Sequence, residues 1–153
     1  MQLTLYSDFS LRVLVYLGLK TDKLSTISEM AENYNISRNH LIKVVHNLST
    51  KGFVDAVRGK GGGVRLARPP EQIILGDVLR LTEPHFNLVE CFDKNDPGDC
   101  PIIAVCNLRG GLRKALEAFM NVLDNITLAD VLNQPDELAK SLNIDVPLSR
   151  ALQ

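Results

Sequence analysis

Three cysteines lie within sixteen residues of this 153-residue chain, at Cys91, Cys100 and Cys106. Thiolates bind soft or borderline metals, chiefly zinc and the iron of iron–sulfur clusters. The surrounding segment is rich in proline and aspartate, which makes it too polar to bury three unrelated thiols in a core. The sequence therefore predicts a metal or redox site between residues 91 and 106.

The number and spacing of the cysteines argue against two kinds of site. An odd number of cysteines in a chain without a recognisable secretory signal argues against a disulfide framework, and the lack of a Cys-x-x-Cys pair argues against a zinc knuckle. Three thiolates leave one coordination position for an external ligand or another residue. The candidate residues are Asp8, His85, Glu90, Asp93, Asp96 and Asp99. A thiol-redox site, in which the cysteines form a disulfide or bind zinc, stays open as an alternative.

The second set of candidate residues is basic. Residues 1–70 carry ten Lys/Arg and five Asp/Glu, a net charge of +5, whereas residues 71–153 carry a net charge of −6. A basic half joined to an acidic half indicates that one end of the molecule meets a polyanion. We predict no enzyme, because no nucleophile–base pair is evident and Gly59–Gly63 lacks the spacing of a phosphate-binding loop.

The basic residues fall on a predicted helix-turn-helix. Thr26-Ile27-Ser28-Glu29 fits a capping box, and Asn35 can adopt the left-handed conformation that ends a short helix. Ser37 is a predicted second N-cap, and Lys51-Gly52 closes the second helix. The buried face of that helix follows the i, i+3, i+4, i+7 pattern at Leu41, Val44, Val45 and Leu48.

The second helix of such a motif enters the DNA major groove with its N-terminal residues. The residues predicted to reach DNA from this helix are Ser37, Arg38, Asn39, His40 and Lys43. Arg38 can donate two hydrogen bonds to guanine, and Asn39 can pair with adenine. Predicted strands over 53–57 and 64–67 flank a glycine-rich tip, which forms a wing whose basic residues are Arg58, Lys60 and Arg65.

The remaining elements complete a mainly α-helical protein. Ser7 is the predicted N-cap of a buried first helix, with Asp8 in its first turn. A short helix over 73–81, an irregular loop over 84–106, a long amphipathic helix over 108–126 and a short helix over 127–132 follow, and a loose tail is expected from Asp145 onward. No apolar run approaches twenty residues, so we expect no membrane span and a cytoplasmic protein.

The chain resembles the winged-helix iron–sulfur transcription regulators, and within them the nitric-oxide-sensitive repressors. The resemblance rests on Tyr6-Ser7-Asp8, on the recognition-helix start Ser37 to Leu41, on the glycine-rich wing and on the three cysteines before a long helix. The cluster-biogenesis branch of the family uses a histidine three residues after the third cysteine, where this chain has Arg109. The eight residues between Cys91 and Cys100 exceed the usual spacing, which leaves the cluster type open between [4Fe–4S] and [2Fe–2S].

The resemblance implies a homodimer that represses transcription from a palindromic DNA operator and responds to nitric oxide. It implies a cluster held by the three cysteines and by Asp8 of the partner subunit. Arg12 lies four residues after Asp8, so we expect the two to pair when no cluster is bound. The predicted units are a winged helix-turn-helix DNA-binding domain (1–82), a cluster-binding loop (83–107), a dimerisation helix region (108–132) and a C-terminal tail (133–153).

Overall fold

The computed structural model describes residues 2–144, and helix α1 (Leu5–Leu19) runs through the centre of the fold. Its side chains Val13, Leu14 and Leu17 have no more than 1% of their surface exposed. Apolar residues occur on several sides of this helix, so it is surrounded by neighbouring helices rather than lying on the surface. The predicted buried first helix is confirmed.

The start of α1 differs from the prediction. Thr4 is the N-cap, and its hydroxyl accepts a hydrogen bond from the backbone N–H of Ser7 at 3.2 Å. The prediction that Ser7 caps the helix is wrong, because the Ser7 side chain is buried and donates to Thr82 Oγ1 at 2.8 Å. Asp8 does lie in the first turn.

Helices α2 (Ile27–Tyr34) and α3 (Arg38–Thr50) form the helix-turn-helix. The capping box of Thr26 and Glu29 is present, and Asn35 ends α2 in the left-handed conformation with φ of 51°. Ser37 is the N-cap residue of α3, as predicted, but its side chain makes no capping hydrogen bond. Its ψ is 126°, whereas Thr4 and Thr26, which do cap helices, have ψ of 152° and 153°.

Strands β1 (Val54–Val57) and β2 (Gly63–Leu66) pair antiparallel as the predicted wing, with Asp55 opposite Arg65. Two backbone hydrogen bonds between Ser25 and Val64, at 2.8 and 2.9 Å, attach β2 to the chain before α2. The tip is a defined turn rather than a loose loop. A Cβ at Gly62 would collide with the carbonyl oxygen of Val57, so glycine is required there.

Helices α4 (Leu75–Thr82), α6 (Leu128–Val131) and α7 (Pro135–Ser141) also pack against α1, and a 3₁₀ turn over Pro70–Gln72 packs against α6. Leu128 and Ala139 are nearly fully buried there. The sequence analysis placed residues 133–153 in a C-terminal tail and did not anticipate α7. The predicted loose segment from Asp145 lies outside the described residues.

Helix α5 (Asn107–Asp124) is the longest helix, and none of its eighteen residues is buried. Its C-terminal end is fixed to α4 by Arg80, whose two terminal nitrogens donate to the Asp124 carboxylate at 2.5 and 2.7 Å. Gly76 permits this approach, because a Cβ there would overlap Asp124 Oδ1. Within residues 2–144, no helix is long and apolar enough to cross a membrane.

Candidate nucleic-acid interface and cysteine segment

The predicted DNA-reading side chains are accessible to solvent. The apolar face of α3 is buried at Leu41, Val44, Val45 and Leu48, which leaves the polar face in solvent. The eight predicted residues are all exposed: Ser37, Arg38, Asn39, His40, Lys43, Arg58, Lys60 and Arg65. On the wing, Arg65 lies 3.6 Å from the Asp55 carboxylate on the facing strand, an exposed ion pair that contributes little to stability.

Arg38, the first residue of α3, is hydrogen-bonded to the neighbouring helix α2. Its Nε–H donates to the hydroxyl of Ser28 in α2 at 3.2 Å. Both residues are exposed, and they are brought together by the turn at Asn35, where the backbone N–H of Ile36 donates to the carbonyl of Ala31 at 2.9 Å. The sequence analysis used Ser28 only as part of a capping box and missed this contact.

The start of α1 contacts the first turns of α3. The Phe9 and His40 rings lie 6.0 Å apart and are tilted by 31°. The Tyr6 hydroxyl donates to the carbonyl of Lys43 at 3.4 Å. Two of the predicted DNA-reading residues, His40 and Lys43, therefore contact α1 directly.

Asp8 and Arg12 form the predicted ion pair on α1. Arg12 Nε donates to Asp8 Oδ1 at 3.0 Å, and Arg12 Nη2 lies 2.8 Å from Asp8 Oδ2, so the contact is bidentate. The Arg12 guanidinium also lies 5.9 Å from the centre of the Tyr34 ring in α2. Burial raises the pKa of Tyr34 to about 12, so this ring stays uncharged at neutral pH. The pair therefore links α1 to the first helix of the helix-turn-helix.

The three cysteines are free thiols in three different settings. Cys91 is half-buried in a 3₁₀ turn over Glu90–Phe92, and Cys100 is exposed. Cys106 is the N-cap of α5, where its sulfur accepts a hydrogen bond from the backbone N–H of Arg109 at 3.4 Å. The positive end of a helix dipole stabilises a thiolate or another anion at such a position.

The donor set has the right chemistry for an iron–sulfur cluster but is not assembled in one chain. Among residues 2–144, no three His, Cys, Asp or Glu side chains are grouped so that they could hold a metal ion. Three unpaired thiols are the ligands that such clusters prefer. Asp8, the candidate fourth ligand, pairs with Arg12 instead. The structure therefore does not bring the predicted metal ligands together.

Comparison with known proteins identifies the family. A model of the Rrf2 family, described as iron-dependent transcriptional regulators, matches residues 3–134. The chain belongs to this family. Rrf2 proteins are transcriptional regulators rather than enzymes, in agreement with the sequence analysis.

Several curated relatives match nearly the whole chain. The HTH-type transcriptional regulator NsrR of Bacillus subtilis (strain 168) is 46% identical over 145 residues, which cover 94% of this chain and 99% of that protein. The NsrR of Bacillus licheniformis is 44% identical over 144 residues, which cover 94% of this chain and all of that protein.

Solved structures show the same winged-helix architecture. CymR (YrzC), the global cysteine regulator of B. subtilis, superimposes with a TM-score of 0.71 at 25% identity, covering 87% of this chain and 97% of that one. IscR of T. potens superimposes with a TM-score of 0.70 at 24% identity and covers 90% of each chain. The predicted fold class, mainly α with a winged helix-turn-helix and a long helix, is confirmed.

Proposed function

We propose that this protein is a homodimeric repressor that binds a palindromic operator through α3 and the wing and releases it in response to nitric oxide. The observation that carries the proposal is the contact of α1, which holds Asp8, with the DNA-reading end of α3. The names of the NsrR relatives agree with this assignment. A ligand that changes the position of α1 would change the position of the recognition helix.

The dimer is formed through α5. The apolar residues of this helix form a stripe, and none of them is buried within the single chain. They are Leu112, Leu116, Phe119 and Leu123. An open cavity of about 330 Å³ lies beside it, bounded in part by Leu88, Leu116 and Phe119. An unburied amphipathic helix of this length is typical of a helix that packs against a second subunit. Two-fold symmetry then places two α3 helices for the two halves of a palindrome.

The cofactor is an iron–sulfur cluster, either [4Fe–4S] or [2Fe–2S], held by Cys91, Cys100, Cys106 and Asp8 of the partner subunit. The bound cluster would supply iron that reacts with nitric oxide. The family is described as iron-dependent, and the three free thiols are the donors that such a cluster requires. Within residues 2–144 the three cysteines are not grouped at one site, so the proposal requires that cluster binding brings them together, with Asp8 of the partner subunit as the fourth ligand.

Asp8 and Arg12 are the switch. With Asp8 drawn toward the partner subunit, Arg12 loses its bidentate carboxylate and keeps only its contact with Tyr34. With Asp8 free, the pair re-forms on α1, as in the structure. The two arrangements give α1 two positions against α3, and a two-state element that a ligand biases is what such a switch requires.

The decisive experiment is an anaerobic absorbance spectrum of the purified protein, recorded during titration with nitric oxide while operator binding is followed. We expect visible iron–sulfur bands that are lost as DNA is released. In the Asp8→Ala variant, nitric oxide should no longer cause release of the DNA. Asp22→Ala, a change in an exposed loop, is the control and should behave as the wild type. Full nitric-oxide-dependent release by Asp8→Ala would exclude the role of Asp8.

A thiol-redox repressor is the second candidate. It is favoured by the three free cysteines, one of them exposed, and by the absence of an assembled metal site within residues 2–144. A colourless protein that binds the operator regardless of nitric oxide, and loses binding on oxidation of its thiols, would support this alternative. The DNA-reading surface is the same in both cases.

A further inference from the structure

We infer that Ser28 is a positioning residue for base recognition, because it selects which edge of the Arg38 guanidinium faces the DNA. This inference rests on the proposed DNA-binding function. It starts from the hydrogen bond that Arg38 Nε donates to Ser28 Oγ at 3.2 Å, across the turn between α2 and α3.

A guanidinium group carries five N–H donors in a planar fork, and it can present either of two edges to a pair of acceptors. One edge combines Nε with one terminal nitrogen, and the other combines the two terminal nitrogens. The hydroxyl of Ser28 occupies Nε, so only the terminal edge remains free for the O6 and N7 acceptors of guanine. The hydrogen bond also fixes the plane of the fork.

Ser28 is well suited to this task, because its own position is fixed. It lies in the first turn of α2, between the two capping-box residues Thr26 and Glu29. The Glu29 carboxylate accepts from the backbone N–H of Thr26 at 2.6 Å and from Lys20 Nζ at 3.0 Å. The start of α2 is therefore held by several contacts. In contrast, Arg38 has a long, exposed side chain that makes no second hydrogen bond within residues 2–144.

Fixing Arg38 before DNA binds lowers the entropy cost of ordering it on the base. A free arginine side chain loses much of its rotamer freedom when it is immobilised, and a preorganised one loses less. The effect concerns the base that Arg38 reads and leaves the phosphate contacts of Lys60 or Arg58 unchanged. Ser28 therefore contributes to sequence preference rather than to overall attraction for DNA.

The test uses the full-length protein and an operator selected from a random DNA pool with the wild type. The affinity of the protein for this operator is compared, at fixed salt, with its affinity for operators that are altered at each guanine. We expect Ser28→Ala to reduce discrimination at one guanine per half-site by about threefold to tenfold. Ser28→Thr, which keeps the hydroxyl, should restore it, and Ser141→Ala, on the exposed surface of α7, should change nothing.

A double-mutant cycle shows whether Ser28 acts through Arg38. In an Arg38→Ala background, Ser28→Ala should cause no further loss of discrimination. An equal loss of affinity for all DNA sequences would overturn the inference and indicate a direct phosphate contact by Ser28. Unchanged discrimination in a Ser28→Ala protein whose thermal unfolding is normal would also overturn it. Failure of the proposed function is a separate result: the wild type would then select no operator from the pool.

Discussion

The helix-turn-helix half of the molecule and the segment that follows it differ in how they are held together. Residues 2–82 surround α1 with a core of fully buried side chains, such as Leu14, Leu41 and Leu48. In the segment 83–127, which contains all three cysteines and α5, no described residue is buried. The core around α1, to which α6 and α7 also contribute, is complete within a single chain, whereas the second region contacts it mainly through α4 and presents apolar side chains such as Leu108 to solvent. The contrast indicates that the second region acquires its core from a partner subunit.

Leucine truncation in the two regions should give the largest difference. Leu48 lies on the inner face of α3 and is fully buried, whereas Leu108 at the start of α5 is 70% exposed. We expect Leu48→Ala to lower the free energy of unfolding by about 2–5 kcal/mol. Leu108→Ala is the matched control and should change it by no more than about 0.5 kcal/mol. Urea unfolding at several protein concentrations measures both, and equal effects would contradict the division into a complete and an incomplete region.

A charge on the apolar stripe of α5 should separate folding from assembly. Phe119 is half-buried and lies beside the open cavity. We expect Phe119→Asp to weaken the dimer by at least about 2 kcal/mol, roughly 30-fold, because a central aromatic side chain at an interface contributes that much. Sedimentation velocity measures the dissociation, and circular dichroism should show that the helices persist. Glu117→Ala, a change of an exposed residue on α5, is the control. A Phe119→Asp protein that remains a dimer would place the interface elsewhere.

The sequence predicts the first region well because local signals determine it. The capping box at Thr26, the left-handed Asn35 and the glycine after α3 each act within a few residues, and the structure confirms all three. Local sequence signals could not reveal contacts between residues that are far apart in the sequence. Ser7 looks like a cap by type, but its hydroxyl is bonded to Thr82, which lies 75 residues away in sequence.

The cysteine segment illustrates the same limit more strongly. Residue type alone marks Cys91, Cys100 and Cys106 as candidate ligands, yet their arrangement depends on loop conformation and, in our proposal, on a second subunit. Helix α7 was missed for a related reason. It begins at Pro135 after a short turn, and it is stabilised by packing Ala139 and Leu138 onto the core, which periodicity in a seven-residue helix cannot reveal.

Removing the caps of α2 and α5 should change the free energy of unfolding by smaller but measurable amounts. The start of α2 is capped by a complete box, whereas the start of α5 is capped by the sulfur of Cys106, a weak acceptor. We expect Thr26→Ala to lower the free energy of unfolding by about 1 kcal/mol. Cys106→Ser, measured in cluster-free protein, should change it by less than about 0.5 kcal/mol. Thermal unfolding monitored by circular dichroism compares them, and a larger effect of Cys106→Ser would show that α5 is stabilised within the single chain.

The smallest expected effect concerns the ion pair that joins the two regions. The hydrogen bonds from Arg80 lower the pKa of Asp124 below the ordinary value of 3.8, so the folded state favours the charged carboxylate. Because the folded pKa is lowered, the stabilisation is fully present above pH 3.8 and is lost as the pH falls through the lowered value. Asp124→Asn should therefore lower the urea midpoint slightly at pH 7, and the difference from the wild type should shrink as the pH falls below 3.8. Asp77→Asn, which alters the looser 3.6 Å contact with Arg80, should have a smaller effect at every pH. A pH-independent difference for Asp124→Asn would mean that the side chain stabilises the junction by packing against Gly76 rather than by its charge.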